Sequence, residues 1–262
     1  MNRSILRSAA VLALAALALT GCSSPSSQTE PAPDESATSD STPVSGDLTV
    51  YAAASLQAAF DEIGAAFTDE NPDVTFSPVY DGSSTLVTQL QEGAPGDVFA
   101  SADEKNMEKL SDLAIDPTLF ASNTLVIAVP AGNPGGVEGL ADLADVTTVL
   151  CAPEVPCGAA STALLSNAGV TVEPASLEQN VTAVLTKVAA GEADAGLVYA
   201  TDVVGRDDVE VIVPDGADDV VNRYPIAALD GAPNRAAAEA FVAFVLSDAG
   251  QEILADHGFG AP

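Results

Sequence analysis

The chain has 262 residues, and 47% of them are hydrophobic, which is enough to fill the core of one large domain or two medium ones. The 38 acidic residues outnumber the 8 basic ones and give a formal net charge of -30. A charge of this sign argues against nucleic-acid binding and against electrostatic attachment to anionic lipid. One histidine and three cysteines are too few for a His-rich or Cys-rich metal site.

The beginning of the chain has the pattern of a targeting segment. Arg3 and Arg7 precede an apolar run, residues 9–19, that is too short to span a bilayer. The next residues, Leu-Thr-Gly-Cys at 19–22, resemble a bacterial lipobox, in which cleavage precedes the cysteine and its sulfur is lipidated. We therefore expect residues 1–21 to be a lipoprotein signal peptide, and lipidated Cys22 to anchor an extracytoplasmic protein to the cell membrane.

A polar segment follows the cysteine. Residues 23–46 consist mainly of Ser, Pro, Thr, Ala and acidic residues, with no aromatic side chain. Such a segment cannot bury enough apolar area to offset the loss of chain entropy on folding. We expect residues 22–46 to form the lipidated cysteine and a disordered tether, with the folded part beginning at residue 47.

The first part of the folded region alternates between strand and helix. Residues 48–53 predict a buried strand, and Phe60, Ile63 and Phe67 recur at the spacing of the helix that follows. The next predicted elements are a half-buried strand at 74–80, a helix opening at 81–85, a short buried strand at 97–100 and a helix capped by residues 101–103.

Residues 120–130 predict one long strand that passes from a first domain into a second. Beyond it we expect strands at 147–151, 196–200, 209–213 and 226–229, helices at about 159–168 and 181–190, and two closing helices. This alternation predicts an α/β fold in which mixed sheets are flanked by helices. We assign residues 47–123 and 224–262 to domain I and residues 124–223 to domain II, with a ligand cleft between them.

Ser55 follows a strand at the start of a helix, which raises the alternative of a serine hydrolase. The nucleophile elbow of such enzymes has the pattern Gly-x-Ser-x-Gly, but residues 53–57 are Ala-Ala-Ser-Leu-Gln. The single histidine, His257, is followed by a glycine and is expected at the end of a helix. Capture of a ligand is therefore favoured over catalysis.

Four predicted helix starts offer hydroxyl or main-chain donors: Ser55, Ser83, residues 156–158 and residues 180–181. Each alone has an ordinary interpretation as a helix cap. Two of them precede the expected crossover at Asn123 and two follow it. A cleft lined by helix N-termini from both domains would hold a small oxyanion.

Five segments resemble one known family. They are VYAAASL at 50–56, GSSTL at 82–86, GAPGDVFASAD at 93–103, GLVYATD at 196–202 and Gly-Phe at 258–259. In this order they are similar to the molybdate-binding proteins of ABC importers, within the two-domain, type II periplasmic solute-binding proteins. The resemblance covers residue 48 to the C-terminus.

The resemblance implies a set of oxyanion-binding residues. Ser55 and Ser83 would donate hydroxyl and main-chain hydrogen bonds, Cys157 and Val181 would donate main-chain N–H groups, and Tyr199 would donate its hydroxyl. The family commonly has Ala where this chain has Cys157, but a main-chain contact does not depend on that side chain. The resemblance further implies a monomer that has no cofactor and delivers molybdate or tungstate to an ABC permease and its ATPase.

The protonation state of the ion limits the choice of ligand but does not identify a single one. Molybdate carries no proton at neutral pH, so a site made only of donors satisfies every oxygen, whereas the proton of hydrogen phosphate would face a donor. Sulfate is also fully deprotonated. Sulfate or a small organic anion therefore stays open as an alternative, and tungstate is harder still to separate from molybdate.

Cys151 and Cys157 lie on either side of a short loop. Two cysteines in an extracytoplasmic compartment favour a disulfide over free thiols. A metal-binding pair is the alternative, but it lacks further ligands. We expect a disulfide that stiffens the loop presenting the N–H of Cys157.

Overall fold

The structure is a computed structural model that describes residues 44–262. The predicted signal peptide, Cys22 and nearly all of the predicted tether lie outside the described residues. Within residues 44–262, no helix is both long enough and apolar enough to cross a membrane.

The described residues form ten strands and seven α-helices. The strands are β1 (Gly46–Ala53), β2 (Val74–Asp81), β3 (Val98–Ala100), β4 (Ala114–Asn123), β5 (Leu125–Pro130), β6 (Thr148–Cys151), β7 (Ser176–Glu178), β8 (Ala195–Tyr199), β9 (Val209–Ile212) and β10 (Asn222–Leu229). The helices are α1 (Gln57–Glu70), α2 (Ser83–Gln91), α3 (Glu104–Glu108), α4 (Pro156–Ala168), α5 (Val181–Ala189), α6 (Arg235–Leu246) and α7 (Asp248–Asp256).

The first sheet has five strands in the order β2-β1-β3-β10-β4. Strand β1 runs parallel to β2 and β3, and β10 runs antiparallel to β3 and β4. A cluster of aromatic rings packs the helices onto this sheet: the ring of Phe241 in α6 lies 5.9 Å from that of Phe60, 5.4 Å from that of Phe67 and 5.4 Å from that of Phe76. The last helices of the chain are thus held against its first ones.

The second sheet has five strands in the order β7-β6-β8-β5-β9. Strand β6 runs parallel to β7 and β8, and β5 runs antiparallel to β8 and β9. Its core is built mainly from Val, Leu, Ile and Ala and is separate from the cores of the first sheet. The predicted fold class, α/β with mixed sheets flanked by helices, is confirmed.

The single long strand predicted at 120–130 is wrong. The structure divides it into β4 and β5, which belong to different sheets and are separated only by Thr124. At this point the Oδ1 atom of Asn123 accepts a hydrogen bond from the N–H of Thr124 at 3.0 Å, so this N–H is occupied by a side chain where the chain leaves the first sheet. The sequence does not reveal this break, because residues 120–130 contain neither Gly nor an internal Pro.

Two further differences concern the second sheet. Helix α4 begins at Pro156 rather than at residue 159, because proline fits the first helical position, where no N–H is needed. Strand β7 was not predicted, since it has three residues and a polar sequence. The proposed limits of domains I and II stay a prediction.

The parallel strands explain why separate parts of the chain meet. In each sheet three parallel strands end at one edge: β1, β2 and β3 in the first sheet, and β6, β7 and β8 in the second. Ligands of open α/β sheets bind outside such carboxyl ends. The segments that leave these six strands line the cavity described next.

Candidate functional site

A small cavity lies between the two sheets. All five residues predicted to bind an oxyanion line it, and the structure thus brings them together. The eleven lining residues are Ala53, Ala54, Ser55, Gly82, Ser83, Ala102, Pro156, Cys157, Asn180, Val181 and Tyr199, and none of them carries a charge. The cavity has a volume of only about 10 Å³, so it suits a ligand of very few atoms.

Ser55 enters the cavity from the end of β1. It lies in a short turn of 3-10 helix, Ala54–Leu56, which precedes α1 and has no side-chain cap at its start. Its side chain is buried, and its Oγ atom lies 3.0 Å from the hydroxyl oxygen of Tyr224 in β10. The hydroxyl of Ser55 is therefore held in position by Tyr224, which does not line the cavity.

Ser83 is the first residue of α2, and Gly82 before it has no side chain that could cap the helix. The first N–H groups of a helix have no partner within the helix. In α2 this first turn begins at the wall of the cavity. The Oγ atom of Ser83 accepts a hydrogen bond of 3.0 Å from the N–H of Ala102, which follows β3. This contact joins two connections at the same edge of the first sheet.

Cys157 is the second residue of α4, directly after Pro156, which has no N–H to offer. A disulfide joins Cys157 to Cys151 at the end of β6. A Cβ atom on the next residue, Gly158, would lie 1.9 Å from the carbonyl oxygen of Ala152, so only glycine allows this close packing. The start of α4 is fixed by both features.

Val181 is the first residue of α5, and Asn180 caps this helix. The Oδ1 atom of Asn180 accepts a hydrogen bond of 2.9 Å from the N–H of Ala183, and its Nδ2 atom donates to Oδ1 of Asp81 at 2.9 Å. Asp81 ends β2 in the first sheet, so this amide connects the two sides of the cavity. A Cβ atom on the neighbouring Gly82 would lie 2.1 Å from the carbonyl oxygen of Gln179.

Tyr199 ends β8, and its side chain is 1% exposed. Its hydroxyl oxygen accepts a hydrogen bond of 3.0 Å from Nδ2 of Asn222, the first residue of β10. Burial raises the pKa of Tyr199 well above its usual value, and nearby charges, including Asp103, add to this rise. The hydroxyl is therefore neutral and protonated at physiological pH.

Sequence reasoning missed the residues behind the cavity wall, chiefly Asn123, Asn222 and Tyr224. All three are buried polar residues at the points where the chain passes between the sheets. Burial raises the pKa of Tyr224 as well. The one signal in the sequence is the presence of asparagine and tyrosine beside apolar strands, where their polar atoms require partners.

His257 is not among the residues that line the cavity. Its Nε2 atom lies 2.8 Å from Oε2 of Glu62 on α1, at the surface. It directly follows the last residue of α7, at the end of a helix as expected from the glycine after it. The structure shows no contact of His257 with Ser55 that resembles a catalytic pair.

Residues 48–260 match the family model of the bacterial extracellular solute-binding proteins. The chain belongs to this family. It is therefore an extracytoplasmic solute-binding protein by family, as the sequence motifs predicted.

One curated relative is the molybdate-binding protein ModA of Mycobacterium tuberculosis. It is 42% identical over 260 residues, which cover 96% of this chain and 96% of the relative. Two solved structures share the fold. The periplasmic molybdate-binding protein of Azotobacter vinelandii has a TM-score of 0.70 and 20% identity, over 82% of this chain and 99% of that one. The sulfate-binding protein SubI of Mycobacterium tuberculosis has a TM-score of 0.65 and 18% identity, over 81% and 86%.

Asp202 gives the site a dependence of stability on pH. Its carboxylate accepts a hydrogen bond of 2.8 Å from the N–H of Tyr199. Desolvation raises the pKa of Asp202 from 3.8 to about 7, although this hydrogen bond opposes the rise. Between these values the folded protein holds a proton that the unfolded chain has lost, so this residue makes stability fall as pH rises through that window.

We expect Asp202→Asn to remove this effect. The difference between the unfolding midpoints, variant minus natural protein, should be larger at pH 8 than at pH 5. The natural protein loses stability as Asp202 ionises, whereas asparagine does not ionise. Thermal unfolding of both proteins at the two values measures it. A difference that is the same at both would contradict the prediction.

The disulfide predicts a second stability effect. Replacing both Cys151 and Cys157 by serine should lower the free energy of unfolding by about 2 kcal/mol, because the unfolded chain regains the entropy of a short closed loop. Urea unfolding of the two proteins tests this. In the natural protein, neither cysteine should react with iodoacetamide before reduction; mass spectrometry that finds both alkylated would contradict the bond.

Proposed function

We propose that this protein captures molybdate, and also tungstate, in the cavity between its two sheets and delivers it to an ABC permease with its ATPase. One observation carries the proposal: the five predicted oxyanion-binding residues line one small cavity whose lining side chains are all uncharged. A cavity of hydrogen-bond donors with no counter-charge suits an ion whose oxygens all accept. Its work is capture and not catalysis, and it needs no cofactor.

The donors of the proposed site come from both sheets. Ser55 and Ser83 lie at helix starts of the first sheet, and Cys157, Val181 and Tyr199 lie at connections of the second. Hydrogen bonds to a charged group each contribute roughly 1.5–3 kcal/mol. The positive ends of helix dipoles add to this attraction. Such a cage binds a dianion tightly although it contains no Lys or Arg.

The choice of molybdate is supported by the relative and by the sequence motifs. The Mycobacterium tuberculosis protein that is 42% identical is a molybdate-binding protein. The fold alone does not select the anion, because the sulfate-binding neighbour shares it. Sulfate, or a small organic anion, is therefore the second candidate.

We propose that domain I (47–123 and 224–262) and domain II (124–223) close around the ion. The contact between Asp81 and Asn180 and the close approach of Gly82 to Gln179 support this, since both join opposite sides of the cavity. Closure would surround the anion with donors and present both domains together to the permease. The protein acts as a monomer, held at the membrane by its lipid alone.

Isothermal titration tests the proposed function directly. Molybdate and tungstate should bind with submicromolar dissociation constants and sulfate at least about a hundredfold more weakly, a difference of about 2.7 kcal/mol. Hydrogen phosphate should bind weakest, because its proton faces a donor. Submicromolar binding of sulfate without binding of molybdate would overturn the ion assignment.

Gly82→Ala tests the closure. The backbone of Gly82 has φ -59° and ψ 136°, which alanine adopts without strain, so the ligand-free protein should unfold at nearly the same temperature. The added Cβ would press on the carbonyl of Gln179 only when the two sides are together. Overpacking of this kind should weaken molybdate binding about tenfold or more.

Gly139→Ala is the matched control, since a Cβ there meets no atom within 4 Å. It should leave the titration unchanged. Unaltered molybdate binding by the Gly82 variant would show that the sides do not close as proposed.

The lipid anchor rests on Cys22 and its lipobox. Expressed with its own leader in a bacterium, the protein should sediment with membranes and label with radioactive palmitate. Cys22→Ser should abolish both the label and the sedimentation of mature protein. Cys151→Ser is a control that should retain both. Equal labelling of the Cys22 variant would contradict lipidation at this residue.

A further inference from the structure

Behind the cavity lies a second layer of polar groups, and each of them contacts one of the three cavity hydroxyls. The hydroxyl oxygen of Ser83 meets the N–H of Ala102, that of Tyr199 meets Nδ2 of Asn222, and that of Ser55 meets the hydroxyl of Tyr224. A hydroxyl has one proton to donate. If its oxygen already accepts from a fixed donor, that proton is directed to another acceptor, and the cavity is where an acceptor would lie.

The orientation of Asn222 is fixed by its surroundings. Its Nδ2 atom lies 2.9 Å from the carbonyl oxygen of Ala102, which can only accept. The amide nitrogen, not the amide oxygen, therefore faces this region, and the same nitrogen donates to Tyr199. Because the side chain of Asn222 is buried, water does not compete strongly for this contact. With its oxygen approached by Asn222, Tyr199 has its own proton available for an acceptor in the cavity.

Asn123 affects the orientation of the Ser55 hydroxyl indirectly, because it donates to the hydroxyl oxygen of Tyr224, which contacts Ser55. The Oδ1 atom of Asn123 accepts from the N–H of Thr124 at 3.0 Å, so its Nδ2 atom faces the other way. That nitrogen donates to Oγ1 of Thr201 at 2.8 Å and lies 3.5 Å from the hydroxyl oxygen of Tyr224. With its oxygen approached by a donor, Tyr224 has its own proton available for the Oγ atom of Ser55, 3.0 Å away.

We propose that Asn222 and Tyr224, with the main-chain N–H of Ala102, orient all three cavity hydroxyls as donors, and that this makes the site select fully deprotonated oxyanions. This inference rests on the proposed capture of an oxyanion. Asn222 and Tyr224 are positioning residues, because each acts through a hydroxyl that contacts the ligand. The discrimination against an ion that carries a proton then comes from residues outside the cavity wall.

Tyr224→Phe is the sharpest test. The ring of Tyr224 packs against those of Phe120 at 6.3 Å, Tyr199 at 6.1 Å and Phe259 at 5.5 Å, and phenylalanine keeps these contacts. Without the hydroxyl, Ser55 is free to rotate and to accept a proton. Molybdate affinity should fall ~10-fold, the equivalent of one hydrogen bond, while hydrogen phosphate should bind as well as before or better.

The readout is the ratio of the two affinities by isothermal titration at pH 8, with phosphate up to millimolar concentration. The ratio of molybdate to phosphate binding should fall ~10-fold in the variant. A merely structural role would weaken both ions by the same factor, and that result would overturn the proposal. No change in either affinity, or no detectable phosphate binding by the variant, would also overturn it.

Tyr80→Phe is the matched control, because the hydroxyl of Tyr80 donates to Asp61 at an exposed site. It should leave the ratio unchanged. Asn222→Leu, of similar size but without a donor, provides an independent variant if the Tyr224 protein does not fold, and it should lower the ratio through Tyr199. An unchanged ratio in this folded variant would overturn the proposal.

The natural protein separates this inference from the proposed function. If it binds sulfate and no molybdate, the proposed function fails, and the same ratio is measured with sulfate, which is also fully deprotonated. If the natural protein prefers hydrogen phosphate to both ions, the orientation of the hydroxyls is wrong as well.

Discussion

The cavity between the two sheets is lined by uncharged groups, and this constrains everything around it. A buried charge is costly unless hydrogen bonds replace its hydration. Here the hydrogen bonds must come from uncharged donors, chiefly hydroxyls and main-chain N–H groups, since none of the eleven lining residues is charged and the amide of Asn180 already donates to Asp81. Several chain segments must therefore meet at one point and present hydrogen-bond donors that have no partner within the protein. Six parallel strands, three in each sheet, meet this condition by opening their carboxyl ends toward the same space.

The same constraint explains the rigidity of the helix starts. A main-chain N–H contributes as a donor only if the backbone around it is held, because its orientation follows that of the peptide plane. The disulfide between Cys151 and Cys157 and the packing of Gly158 on Ala152 hold the start of α4, and the cap at Asn180 holds the start of α5. The abundant surface acids matter less for the ion, since charges beyond a Debye length of about 8 Å are largely screened at physiological salt.

How much of this could be read from the sequence depends on the distance over which each interaction acts. The fold class followed from local patterns. The predicted site residues Ser55, Ser83, Cys157, Val181 and Tyr199 followed from the resemblance of motifs to a known family, and all five line one cavity. The division of residues 120–130 into two strands did not follow from either, because Asn123 and Thr124 interrupt an otherwise continuous strand pattern without Gly or Pro. The contact of Ser55 with Tyr224 spans 169 positions of the chain, and local periodicity carries no information on it.

One residue, Ala102, has a wider consequence. Its N–H holds Ser83, and its carbonyl holds Asn222, which in turn holds Tyr199 across the boundary between the sheets. Ser83 and Ala102 belong to one side and Tyr199 to the other, so this series of contacts is complete only while the sides are together. An ion that entered an open cleft would meet donors that are not yet all oriented. It would be bound selectively only when the cleft closed. Recognition and closure would then be a single event, and a wrong ion would be released before the closed form could be offered to a transporter.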